Sequence, residues 1–116
     1  MTKSLGEREQ RELTALLDAQ TALARARALL AEGEPKPGDT MLLALAYCML
    51  TFGEMLKQTA RGVVTPAFSG PIALRDKLAH IPHRKLNPAV LAASIARAEE
   101  EILPLIQARI TDLGGQ

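Results

Sequence analysis

At 116 residues the chain fits one domain, and burying roughly two-thirds of its unfolded surface gives it a single modest core, which leaves no room for a second. Its 47% hydrophobic and 23% charged content is ordinary for a soluble globular protein, but 3% aromatic content with no Trp leaves the packing to Ala and Leu, which favours closely packed helices. The formal net charge of +1 excludes a polycation, so any attraction to nucleic acid must be local.

The first predicted element runs from about Gly6 to Glu32. Leu13, Leu16, Leu17, Leu23, Ala24 and Leu30 recur at helical spacings, with Arg and Glu on the other faces, so this is a long amphipathic helix with one buried stripe. Gly33-Glu34-Pro35-Lys36-Pro37-Gly38 stops it. Asp39 or Thr40 can cap a second helix that is apolar nearly all round, from Met41 to Leu56, and such a helix is expected to be central and covered on most sides. It should end near Arg61-Gly62, with Val63 to Gly70 as a loop.

Ser69-Gly70-Pro71 opens a short third helix, with Ser69 as the cap, that runs to about His80 before Pro82 stops it. Asn87-Pro88 starts a fourth. Pro104 falls inside its continuing pattern and should kink the helix or divide off a last segment, Leu105 to Leu113. No strand alternation competes, so the fold class is all-α, an antiparallel bundle of four to five helices in a single domain spanning residues 1–116.

Cys48 can form no internal disulfide and reads as a buried thiol in a reducing compartment. Lys3, Glu7, Arg8 and Glu9 stand where a secretory signal would need an apolar core. The uncharged apolar stretch from Thr40 to Gly53 would span only ~21 Å as a helix, short of a ~30 Å hydrocarbon layer. A cytoplasmic protein with no membrane span is expected.

The chemistry concentrates in Arg75-Asp76-Lys77-Leu78-Ala79-His80. Residues 75 to 85 carry Arg75, Lys77, Arg84 and Lys85 against Asp76 alone, and both histidines of the chain, His80 and His83, fall in the same window. Arginine holds a phosphate with a planar fork of donors, and neutral imidazole takes a proton near pH 7. Together they suffice in principle to cleave RNA, since the nucleophile is the ribose 2′-hydroxyl of the substrate. Arg75 and His80 lie about 140° apart on an ideal helix, so they would converge only if the helix ended near Ala79 and let the imidazole swing toward the guanidinium. Asp76, four residues before His80, could hold a ring nitrogen with its carboxylate. Taken alone, an Arg and a His five apart are more often ordinary surface residues.

The central segment Leu50-Thr51-Phe52-Gly53-Glu54-Met55-Leu56-Lys57, the Pro- and Gly-containing connection, Leu74-Arg75-Asp76-Lys77-Leu78-Ala79-His80 and the closing Glu-Ile-Leu-Pro-Leu-Ile run change that balance. In this order, over about residues 39 to 113, they resemble the HepT toxin family of HEPN domains. The family motif is Arg, four residues, His, with Asn, Asp or His commonly after the Arg. Arg75, Asp76 and His80 match it, and Gly53-Glu54 matches a recurrent Gly-Glu of the family's central helix.

The resemblance implies an HEPN bundle that forms a homodimer, brings two motifs to one cleft and acts as a metal-independent endoribonuclease toxin. It also implies a partner, a minimal nucleotidyltransferase antitoxin. Typical members continue His, any residue, Tyr, and that tyrosine is modified by the partner; here the residues are His80-Ile81-Pro82. A different mode of inhibition, by covering the basic segment from Arg75 to Lys85, is expected instead. A second function from another class is a non-catalytic HEPN module that binds a nucleotidyltransferase or a nucleotide.

Glu54 reads either as a surface ion pair with Lys57 or as a carboxylate supporting Arg75. His83, Arg84 and Lys85 are expected to meet RNA phosphate or solvent. No metal site is expected from His80 and His83, which give fewer than three protein ligands, and no cofactor is implied. Tyr47 sits on the apolar helix with its ring expected to be buried, so no aromatic platform for bases is expected.

Overall fold

A computed structural model of the chain describes residues 5–36, 39–59, 66–82 and 85–114. They form an all-α bundle of five helices: α1 (Glu7–Ala31), α2 (Thr40–Thr59), α3 (Ser69–His80), α4 (Pro88–Arg97) and α5 (Leu103–Asp112). The bundle is elongated, 50 × 26 × 20 Å.

Helix α1 buries Ala15, Leu16, Ala19, Ala22, Leu23 and Ala26. Alanine supplies four of these six positions, and its small side chain lets α1 and α2 lie close along most of their length. Leu17 and Ala24, expected in the stripe, are exposed, each one residue and thus about 100° beyond a fully buried leucine. Arg109 donates from Nε and Nη2 to the Glu12 carboxylate at 2.7 and 2.9 Å, and Arg27 Nε lies 2.6 Å from Glu99 Oε2. The start of α1 thus meets the end of α5 and its end meets the segment before α5, which makes the two runs antiparallel. Being partly solvent-exposed, these bridges contribute only ~1 kcal/mol each and mainly specify register.

Helix α2 supplies the centre. Leu42, Leu45, Met49, Phe52 and Leu56 are fully buried and pack on Leu16, Leu23, Leu91, Ile95 and Ile106. By length and composition α2 could cross a membrane, but seven of its residues are buried in the bundle here. The expected cover on most sides is incomplete: Leu43 is 40% and Tyr47 71% exposed, so one stripe of α2 faces outward. The expected helix end at Arg61-Gly62 lies outside the described residues.

Asn87 caps α4 as its position before Pro88 foretold, with Oδ1 accepting from the N–H groups of Ala89 at 3.0 Å and Val90 at 3.2 Å. Helical backbone then continues from Pro88 to Asp112. Pro104 has no N–H, and its ring crowds the carbonyl one turn back. The chain answers with a π turn over Ala98–Ile102, in which the Leu103 N–H reaches back five residues to the Ala98 carbonyl. The expected division at Pro104 is therefore a widened turn, with Ala98 and Ile102 still buried.

Helix α3 differs from the rest. The segment expected as loop before it is partly helical, since Pro66–Phe68 form a 3₁₀ turn and α3 begins at Ser69 itself. Phe68, not Ser69, holds the capping position and is buried in the core. Of the twelve residues of α3 only Pro71 is buried, with Ile72, Leu74 and Leu78 half-buried against the core. The helix rests chiefly on α2, and a cavity of about 130 Å³ lined by Met49, Pro71, Leu74, Ser94, Arg97 and Ile102 lies along its first turns.

Candidate functional site

The site is built where α3 crosses α2, and the crossing depends on Gly53. A Cβ added there would sit 2.5 Å from Arg75 Cβ and 2.6 Å from the Pro71 carbonyl oxygen. Glycine inside a helix costs roughly 0.5–1 kcal/mol against alanine, and here the missing side chain is what admits the backbone of α3 and the stem of Arg75. The next residue, Glu54, then faces the guanidinium.

Arg75 Nη2 lies 2.6 Å from Glu54 Oε2, and Nη1 donates to Asp76 Oδ1 at 2.6 Å. Of the two readings of Glu54, the contact present is the one with Arg75. It is a charge contact more than an aligned hydrogen bond: Glu54 Oε2 and Arg75 Nε are shut off from water and have no hydrogen-bond partner among the described residues. The side chain of Arg75 is 26% exposed, that of Glu54 35% and that of Asp76 54%, so the guanidinium is clamped on the inner side and open on the outer. The hydrogen bond to Asp76 raises the Arg75 pKa above its ordinary value, helped by the charge of Glu54 and opposed by burial. The same bond holds the Asp76 carboxyl below the usual range, with Lys57 and His80 adding to the effect.

Asp76 also holds His80, but with its other end. Nδ1 of His80 lies 2.9 Å from the main-chain carbonyl oxygen of Asp76. A carbonyl only accepts, so the proton of the neutral ring sits on Nδ1 and the lone pair on Nε2. This corrects the expectation that the Asp76 carboxylate orients the ring; that carboxylate is taken by Arg75. Helix α3 runs through His80, as the sequence predicts, so the earlier end at Ala79 that would have let the imidazole swing toward the guanidinium is not present, and the helix itself fixes the ring. Asp76 is therefore the link between the two groups, side chain to one and main chain to the other.

Lys85 is exposed, on the segment after α3, and its N–H donates to the Pro82 carbonyl at 2.9 Å. His83 and Arg84 lie outside the described residues. Cys48 is buried as expected, and burial pushes its thiol pKa up, with Arg25 partly opposing the shift.

Two features escaped the sequence reading. The packing role of Gly53 had a signal, a glycine in the middle of an otherwise strong helix pattern. The outward stripe of α2 had none, because an apolar residue at a surface position leaves the same mark in the sequence as one in the core. In comparisons with known proteins, no family model, curated protein or solved structure matches this chain.

Proposed function

We propose that the chain is a metal-independent endoribonuclease of the HepT-like HEPN type, with RNA as substrate. The observation that carries this reading is the double use of Asp76, which anchors Arg75 and fixes the tautomer of His80 within one turn and a half of helix. Nε2 of His80 takes the proton of a ribose 2′-hydroxyl, and the oxygen attacks the adjacent phosphorus. In the dimer this reading implies, two copies of the motif meet in one cleft, and an Arg75 there bears the charge that grows on the phosphoryl oxygens. The bond to the 5′-oxygen breaks, that oxygen takes a proton from water, and the products are a 2′,3′-cyclic phosphate and a 5′-hydroxyl.

Glu54 and Asp76 are supporting residues in this scheme, and Lys85, with His83 and Arg84, adds positive charge for the phosphate backbone. The setting it implies is the cytoplasm, in a homodimer restrained by a minimal nucleotidyltransferase antitoxin. Light scattering of the purified chain at micromolar concentration tests the dimer.

One observation favours a second reading, a non-catalytic module that binds a nucleotidyltransferase or a nucleotide. Arg75 already stands against two carboxylates, and a phosphate must displace or share the Asp76 contact to reach it. Incubation with RNA in EDTA separates the two. The native chain should release cyclic phosphate ends, RNA carrying a 2′-methoxy group at the scissile position should resist, and His80→Ala should lower the rate by ~10²-fold or more. No cleavage by the native chain, or equal cleavage by His80→Ala, rejects the enzyme.

A further inference from the structure

We propose that Tyr47 stacks on a nucleobase of single-stranded RNA and so positions the strand whose phosphate lies at Arg75; this rests on the ribonuclease reading above. Tyr47 is the only tyrosine in a chain without Trp. Both phenylalanines are buried, Phe52 at 0% and Phe68 at 7% exposure, whereas Tyr47 is 71% exposed. The chain thus has one aromatic face open to a ligand.

That face lies in line with the site. Tyr47 and Glu54 are seven residues apart on α2, two turns and within about 20° of the same side, with Cα atoms ~10.5 Å apart along the axis. Glu54 is the residue that touches Arg75. The separation matches about three stacked nucleotide steps of ~3.4 Å, or fewer in an extended strand. The chemistry of the stripe changes along its length in the same sense. Around Tyr47 stand Leu43, 40% exposed, and half-buried Leu50, with no charge on α2 between Thr40 and Gly53. At the other end stands Arg75 with Lys57 and His80 nearby, its inner side held by Glu54 and Asp76 and its outer side open. An open aromatic ring in line with a guanidinium open on its outer side suits a nucleotide chain, base to ring and phosphate to guanidinium. Because every base has a π face, the contact would place the strand with little sequence preference.

A second copy of the chain is the competing occupant of this stripe. Leu43 and Tyr47 are its only exposed large apolar side chains among the described residues, short of the ~800 Å² per partner that a stable interface buries. The single open ring in line with the outer side of Arg75 therefore favours RNA.

The missing Trp makes the test direct, since tyrosine emission of the native chain reports Tyr47 alone. A single-stranded oligoribonucleotide with 2′-methoxy groups throughout binds without being cut. Titration should quench the emission with the same midpoint as the anisotropy of labelled RNA. Tyr47→Phe should keep the affinity within about twofold, and Tyr47→Ala should weaken it roughly tenfold or more while leaving helical content unchanged. Binding without quenching, equal affinity of Tyr47→Ala, or a changed oligomeric mass in Tyr47→Ala each overturns the role of Tyr47 and leaves the ribonuclease reading standing. No binding of RNA by the native chain overturns both.

Discussion

The body of the bundle and helix α3 are held by different means. Helices α1 and α2 bury thirteen residues between them, and the run from Pro88 to Asp112 adds Leu91, Ile95, Ala98, Ile102, Ile106 and Ile110. Helix α3 buries Pro71 alone, yet it carries Arg75, Asp76 and His80. What fixes α3 is the fit of its backbone over Gly53 and the contact of Arg75 with Glu54. The stable part of the fold is separate from the part with chemistry, and the site depends on one close crossing more than on the core.

Substitutions should divide along that line. Phe52 is fully buried at the centre of α2, so Phe52→Ala should cost ~3–5 kcal/mol in urea unfolding, the usual price of emptying an aromatic site. Leu78→Ala, on half-buried α3, should cost less than ~1.5 kcal/mol. Equal losses would mean that α3 is as much a part of the core as α2.

Gly53→Ala comes next in size and bears on the crossing itself. Alanine would gain roughly 0.5–1 kcal/mol of helix propensity, but its Cβ would meet the Pro71 carbonyl oxygen and Arg75 Cβ, neither of which a rotamer change can move. We expect a net loss of ~1–2 kcal/mol together with loss of RNA cleavage, because α3 has to lift from α2. A variant that unfolds later than the native chain would show slack in the crossing and remove the reason for Gly53.

Much of this was legible in the sequence. The α1 periodicity, the Pro and Gly punctuation around residues 33–38 and the Asn87-Pro88 start each act through local backbone physics, and the helices begin and end close to where those signals stand. The association of Glu54 with Arg75 was one of two readings that spacing allowed, and it took the fold to bring the two helices together. The exposure of Tyr47 was illegible: hydrophobic pattern reports what a residue would prefer, while exposure depends on whether a neighbouring helix is there to cover it. The orientation of His80 was half legible. Four-residue spacing pointed to Asp76, but not to its main-chain oxygen, which any residue at that position would supply.

Arg75→Ala should abolish cleavage and also lower the melting temperature slightly, because Glu54 loses its cation while Oε2 stays shut off from water. Arg75→Ala combined with Glu54→Gln should recover the melting temperature and leave cleavage lost. If the double variant melts no higher than the single one, Glu54 does not depend on Arg75, and the ion pair is not what fastens α3.

The smallest effect expected is the most specific to Asp76, whose two ends do different things. Its carboxyl pKa lies below the ordinary ~3.9 because Arg75 binds the charged form, so folding takes up stability from that charge above about pH 4 and loses it as pH falls through the lowered pKa. Asp76→Asn should therefore melt slightly below the native chain between pH 5 and 8, and the gap should close in more acid solution, where the native carboxyl is protonated too. A gap that stays constant down to the lowest pH at which the chain is folded would mean that the Arg75 bond contributes nothing. The substitution leaves the main-chain carbonyl in place, so His80 should keep its orientation and cleavage should persist. With Asp76 no longer competing as an anion for the outer side of Arg75, RNA should bind more tightly than to the native chain, and an anisotropy titration of both proteins checks the direction. Weaker binding would show that the carboxylate holds the guanidinium in position for the phosphate and does not compete with it.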